Sequence, residues 1–275
     1  MPPGAGADVA ILRRVRQISH AGAVQNRQKY SLHISFLLVC IIHHFGRIEK
    51  THILCYDGRE VICMIRLMID DMYDSMPWEA IDAVVFDVGN VLLTYQAQEL
   101  LDKLVPERPD LHEELTIRIF KSPYWCMRDR NSATLEEVIA AMSSNAPELE
   151  PYVRRVMTGW IDLPPIQEGI EALKACKRHG VKLYALTNYA DEEFAYACRQ
   201  HEFFSLFDGF VVSARVHLIK PGHEIYEHLT RTFGLDPERT LFIDDTPGNI
   251  EGALHCGWQG LCYNRAGKLA HFFAE

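Results

Sequence analysis

The sequence predicts an α/β protein, a parallel sheet with helices on both faces and a helical cap inserted into it. Three observations carry this reading. Short apolar runs that end in a polar residue recur between residues 83 and 263. From residue 165 onward these runs alternate with stretches of helical period. Between the first and second runs, residues 97–160 read as helical and interrupt the alternation.

The first run, Ala83-Val84-Val85-Phe86, fits a strand buried on both faces, and Asp87 and Gly89 end it. Within the insertion, Thr134 and Glu137 have capping-box spacing ahead of Val138-Ile139-Ala140-Ala141-Met142. Residues 149–160 are a further amphipathic stretch. Ile166, Ile170, Leu173 and Cys176 then recur at helical spacing, and Gly180 supplies the stop. Further strands are expected at 181–186, 209–213, 240–243 and 260–263. Helices are expected at 191–201, at 225–233 with Gly234 as its stop, and at 249–256. Alternation of this kind is Rossmann-like. No internal repeat or low-complexity segment interrupts it.

The chain has 275 residues, 48% of them hydrophobic and 24% charged, which excludes a disordered, collagen-like or coiled-coil protein. Lys and Arg number 28 against 37 Asp and Glu, so the surface repels phosphate backbones and nucleic acid is not an expected partner. None of the eight cysteines forms a C-x-x-C pair. Structural zinc and a disulfide framework are therefore not expected, and reduced thiols in the cytoplasm are. Residues 1–76 carry nine basic and seven acidic side chains, whereas the remainder carries 19 and 30. The only strongly apolar run there, residues 34–42, is well short of the ~18 residues that span a bilayer. Residues 1–76 are accordingly expected to be a poorly structured extension, with no membrane partner. A core is expected at 77–96 and 161–275, and the cap at 97–160. Composition leaves the oligomeric state open.

The chemistry gathers where strands end. Asp87, Thr187-Asn188, the loop from Ser213 to Lys220, and Asp244-Asp245 all follow apolar runs. Each alone has an ordinary explanation as a turn, a cap or a solvated charge. At the carboxyl edge of one parallel sheet they converge on one crevice. Carboxylates gathered there repel one another unless a cation sits among them, and hard oxygen ligands in a site open to phosphate favour Mg²⁺. Lys220 can neutralise phosphoryl oxygens or hold a carboxylate ionised, and Thr187 offers a hydroxyl donor. A carboxylate, a metal, a lysine and a hydroxyl together fit phosphoryl transfer through an aspartyl phosphate.

The sequence resembles the haloacid dehalogenase superfamily over about residues 80–265. Val84-Val85-Phe86-Asp87-Val88-Gly89-Asn90-Val91-Leu92 is similar to its first motif, and Leu186-Thr187-Asn188 to its second. Ile219-Lys220-Pro221 resembles the third, and the stretch from Phe242-Ile243-Asp244-Asp245 to Gly252-Ala253 the fourth. Separations of 100, 33 and 24 residues run from Asp87 through Thr187 and Lys220 to Asp244.

The resemblance implies roles. Asp87 would be nucleophile and Mg²⁺ ligand, with the Gly89 carbonyl, Asp244 and Asp245 completing the metal site. Thr187, Asn188 and Lys220 would hold the phosphoryl group of a small phosphorylated metabolite, and the insert would close over the crevice. Most members carry an acid two residues after the nucleophile, where this chain has Gly89. Leaving groups that need little protonation are therefore expected to be preferred. The Asp-x-Gly-Asn-Val form is similar to a subgroup of sugar-phosphate phosphatases that includes α-D-glucose-1-phosphate phosphatases. On the insert, Trp125, Arg128 and Arg130 could reach substrate, but the stronger expectation is Trp125 in the core of the insert and both arginines as solvated charges. The competing readings are a metal-free 2-haloacid dehalogenase, which the Asp244-Asp245 pair disfavours, and a catalytically impaired binding protein on the same fold.

Overall fold

In the computed structural model the described residues are 76, 78–263, 267, 269, 272 and 273. The extension expected over residues 1–76 therefore lies outside the described residues, apart from Met76 itself. Met76 is buried, and its N–H donates to the Phe272 carbonyl at 2.8 Å.

The five strands are β1 (Ala83–Phe86), β2 (Lys182–Thr187), β3 (Gly209–Val212), β4 (Thr240–Asp244) and β5 (Gln259–Cys262). They form one parallel sheet in the order β3-β2-β1-β4-β5. The chain runs outward from β1 through β2 to β3, then crosses to β4 on the other side. The direction reverses at β1 and β4, and a doubly wound sheet opens its ligand crevice at such a reversal. Register then decides what stands there. Phe86 is opposite Ala185 and Ile243, so Asp87 emerges beside the ends of both neighbours.

Period-two alternation gives each face its own layer. Val84, Phe86, Leu183, Ala185, Leu241 and Ile243 pack with Leu173 and Cys176 of the helix Gln167–Arg178 and with Phe194 and Ala197 of the helix Asp191–Gln200. Ala83, Val85, Tyr184, Leu186 and Phe242 pack with Ile225 and Leu229 of the helix His223–Phe233 and with Ile250 and Ala253 of the helix Pro247–His255. Because both faces are covered, the strands are apolar almost throughout. Gly180 and Gly234 take φ values of 75° and 65°, the left-handed conformation that stops the helices before them, as the sequence led us to expect.

Numbering the helices along the chain, the insertion between β1 and β2 holds α1 (Ala97–Leu104), α2 (His112–Leu115), α3 (Pro123–Asp129), α4 (Leu135–Ser143) and α5 (Glu150–Gly159). A π-helical turn, Thr116–Phe120, follows α2. The insertion has its own apolar centre, which includes Leu101, Leu115, Ile119, Val138, Ile139, Val153 and Met157. The capping box opens α4: the Glu137 N–H donates to the Thr134 hydroxyl at 3.3 Å, and the Thr134 N–H to the Glu137 carboxylate at 2.8 Å. The remaining helices are α6 (Gln167–Arg178), α7 (Asp191–Gln200), α8 (Ser213–Val216), α9 (His223–Phe233) and α10 (Pro247–His255). Residues 213–220, read as a loop, begin with the single turn α8.

Candidate active site

Asp87 follows β1 directly, and its N–H still donates to Ile243 at 2.8 Å. The carboxylate is thus fixed by the sheet rather than by a mobile loop. Its Oδ1 accepts from the Val88 N–H at 2.7 Å and lies 2.8 Å from the Lys220 ammonium. Oδ2 makes no hydrogen bond among the described residues. One oxygen is neutralised while the other is left without a partner among the described residues.

The lysine is held from the opposite side as well. Its Nζ donates to Asp244 Oδ2 at 2.7 Å, and its side chain is 1% exposed. Asp244 is fully enclosed and holds further donors. The Thr246 N–H reaches Oδ1 at 2.8 Å, and the Asn249 amide lies 3.0 Å from both oxygens. Asp245 accepts from the Asn90 amide at 2.9 Å and the Thr246 hydroxyl at 3.3 Å. Asn90 gains this position from a left-handed backbone, φ 57°, just after Gly89. Its Oδ1 accepts from the Tyr95 N–H at 2.9 Å.

Asp87, Asp244 and Asp245 offer oxygens that lie within 4.8 Å of one another. Three acids at that spacing face one ammonium, so electrostatics resist ionisation. Burial, opposed by Lys220 and aided by Asp244, pushes the Asp87 carboxyl up to about 7. Burial and Asp244 also raise Asp245. Burial works against the charge of Lys220, yet Asp244 and Asp87 hold it above its ordinary value. A hard divalent cation would relieve the excess negative charge, so the donor set fits a metal.

Thr187 ends β2, and its hydroxyl makes no hydrogen bond to another described residue. Asn188, the next residue, uses its side chain on the lysine. Its amide donates to the Lys220 carbonyl at 3.1 Å, and its oxygen accepts from the Lys220 N–H at 2.9 Å. It clamps the lysine's backbone. Gly89 lies in the loop after β1, where a Cβ would meet nothing within 4 Å.

In the insertion, Trp125 packs against the apolar centre as expected and Arg130 is exposed, whereas Arg128 differs. Trp125 packs among Tyr95, Phe120 and Trp160, at centroid distances of 5.9, 5.7 and 5.4 Å. Arg128 is no solvated charge. Its side chain is 11% exposed and lies 3.0 Å from both oxygens of Glu193 on α7. Arg130 is exposed, and its carbonyl receives His217 Nδ1 at 2.9 Å. Asn90, Asn249, Ser213 and Asp129 were assigned no role from sequence. For the asparagines the signal was their place in the first and fourth motifs, one just after Gly89 and the other in the first turn of α10.

Residues 81–257 match the haloacid dehalogenase-like hydrolases. The chain belongs to that family. A sesquiterpene phosphatase of Aspergillus oryzae is 28% identical over 183 residues, covering 65% of this chain and 88% of the relative. An (S)-2-haloacid dehalogenase of Pseudomonas sp. is 26% identical over 110 residues, 40% of this hydrolase and 47% of the relative. Among solved structures, a family enzyme of Bacteroides thetaiotaomicron superposes with a TM-score of 0.56 at 18% identity, covering 71% of this chain and 99% of that one. The L-2-haloacid dehalogenase of Xanthobacter autotrophicus gives 0.54 at 18% identity, with 67% and 78% covered. Those two likenesses concern the fold. No helix among the hydrolase's described residues is long and apolar enough to cross a membrane.

Proposed function

We propose that the protein is a Mg²⁺-dependent phosphatase of small phosphate monoesters acting through an aspartyl phosphate on Asp87. The observation that carries this reading is the bridging of Asp87 and Asp244 by Lys220 beside Asp245. A dehalogenase attacking carbon needs no third acid, and three carboxylates would repel a carboxylate substrate. With a cation they become an anion site.

Asp87, Asp244, Asp245 and the Gly89 carbonyl would hold Mg²⁺, which supplies charge stabilisation to phosphoryl oxygens. Lys220 balances the charge of Asp87 and keeps Oδ1 occupied, leaving Oδ2 as the attacking atom. The Thr187 hydroxyl donates to a phosphoryl oxygen, and Asn188 holds the lysine backbone in place. Asp244, saturated by Lys220, Thr246 and Asn249, orients the lysine whether or not it also binds the ion.

The organic group has two readings. The Asp-x-Gly-Asn-Val motif favours a sugar phosphate. The aromatic seam of Tyr95, Phe120, Trp125, Trp160 and Tyr189 favours an apolar alcohol, consistent with the sesquiterpene phosphatase relative. Phosphate release from glucose 1-phosphate, glucose 6-phosphate, an isoprenyl phosphate and 4-nitrophenyl phosphate, with and without Mg²⁺, tests all of this. Metal-dependent release from at least one ester is expected. Chloride release from 2-chloropropionate in chelator, with no phosphate from any ester, would overturn it.

A further inference from the structure

Gly89 leaves the leaving group without the acid that its position supplies in most relatives by resemblance, yet the crevice is not without a second carboxyl. Asp129 closes α3 of the helical insertion and is 9% exposed. Its backbone is tied to the sheet edge. The Ser213 hydroxyl donates to the Asp129 carbonyl at 2.7 Å and accepts from the Tyr189 N–H at 2.9 Å, so Asp129 stands one residue from the Thr187-Asn188-Tyr189 segment. The preceding residue, Arg128, is anchored to Glu193. Asp129 is thus held on the catalytic side of the joint from two directions.

Its side chain has no matching employment. The Asp129 carboxylate makes no hydrogen bond among the described residues, although the residue as a whole is only 9% exposed. The charges that act on it are Lys220, Glu193 and Arg128, and it in turn acts on the Tyr95 and Tyr189 hydroxyls. Lys220 is the residue that touches Asp87, and the Tyr189 hydroxyl feels both Asp87 and Asp129. Position 89 has open space around it, since a Cβ there would meet nothing within 4 Å.

We propose that Asp129, reaching in from the insertion, is the general acid and base that Gly89 lacks. The inference rests on the phosphatase reading. In the first step Asp87 Oδ2 forms a bond to phosphorus, and the bond from phosphorus to the ester oxygen breaks. That oxygen keeps the electron pair and takes the proton of the Asp129 carboxyl. In the second step the Asp129 carboxylate takes a proton from a water whose oxygen attacks phosphorus. The electron pair of the Asp87–phosphorus bond returns to Asp87, Asp129 is protonated again, and inorganic phosphate leaves. Burial, opposed by Lys220 and Arg128 and aided by Glu193, pushes Asp129 up to about 7, so both protonation states are populated near neutrality.

The test is Asp129→Asn, assayed as kcat/KM with Mg²⁺ on an alkyl and an aryl phosphate. The value of kcat/KM reports the first phosphoryl transfer, and the aryl ester serves as an internal control for folding because its leaving group needs no proton. The alkyl ester is expected to lose about 10²-fold or more while the aryl ester stays within about threefold. With the aryl ester, kcat should fall and a burst of leaving group should appear, because hydrolysis of the aspartyl phosphate has lost its base. Adding Gly89→Asp to Asp129→Asn should recover part of the alkyl activity. Equal losses for both esters, or no loss for either, would overturn the inference while leaving the phosphatase reading intact. A wild-type enzyme that releases phosphate from neither ester would overturn both.

Discussion

Arg128 of α3 and Glu193 of α7 are 65 residues apart in sequence and 3.0 Å apart in space, and their side chains are 11% and 8% exposed. The pair joins the insertion to the core beside the sheet edge. Removing one partner leaves the other charge buried and uncompensated. Arg128→Ala is expected to lower unfolding free energy by about 3 kcal/mol. Arg128→Ala with Glu193→Ala should cost less than the separate losses combined. Denaturant melts of the double-mutant cycle check this, and strict additivity would contradict it.

Asp87→Asn should leave the fold unchanged and lower turnover on the order of 10³-fold or more, because an amide is a poor nucleophile. Asp245→Asn should act on the metal instead. Its half-saturating Mg²⁺ concentration is expected to rise roughly tenfold or more, with turnover restored at high metal. Magnesium titrations of phosphate release separate the two roles.

The buried Asp129 predicts a signature in the pH dependence of stability. Its carboxyl is raised from 3.8 in the unfolded chain to about 7 in the fold. Between those values the folded state binds the extra proton, so stability from this group is present at low pH and lost as pH rises. The slope is about 1.4 kcal/mol per pH unit over that window. Asp129→Asn should flatten the curve and gain on the wild type from pH 5 to pH 8. Melting temperatures in chelator at both values decide it, and parallel curves would count against the buried, protonated state.

Gly169 on α6 faces the loop that carries Gly89 and Asn90. A Cβ there would sit 2.0 Å from the Val91 carbonyl oxygen. Gly169→Ala must push the helix or the loop aside, at a cost of about 1–3 kcal/mol. The displaced loop should also weaken Mg²⁺ binding through Asn90 and its bond to Asp245. Thermal melts and metal titration together check the two effects.

A protein lacking residues 1–75 is expected to fold and to keep its kcat/KM. Met76 already packs in the core and bonds to the Phe272 carbonyl, and the charge balance shifts at this point. Circular dichroism and phosphate release on the shortened and full chains test this. Loss of solubility would contradict it.

The sheet was legible because the central strands are buried on both faces and so read as largely apolar runs, closed at β1, β2 and β4 by the polar residues that the site uses. Strand ends moved by only a residue: β2 runs to Thr187 and β4 to Asp244, which puts both residues inside the ladder. The convergence of Asp87, Lys220, Asp244 and Asp245 followed from parallel topology alone. What could not be read were contacts without local period. Arg128 looks like any helix-surface arginine until Glu193 is folded against it. Asp129 looks like a helix-end acid until Ser213 pins its carbonyl. The Asn188 clamp on Lys220 was hidden because sequence shows that a residue stands at the sheet edge, but not which neighbour its amide satisfies.

The aromatic seam between insertion and core gives the protein an optical gauge. Two of the four tryptophans, Trp125 and Trp160, stand 5.4 Å apart within it, and Trp160 lies 5.4 Å from Tyr189 at the end of the core's second strand. Trp258 is sealed on the far side of the sheet, and Trp78 is stacked on His179. Emission from Trp125 and Trp160 therefore depends on how closely the two parts meet. Any hinging of the insertion will change it without an added label, while Trp258 supplies a steady background against which that change is read.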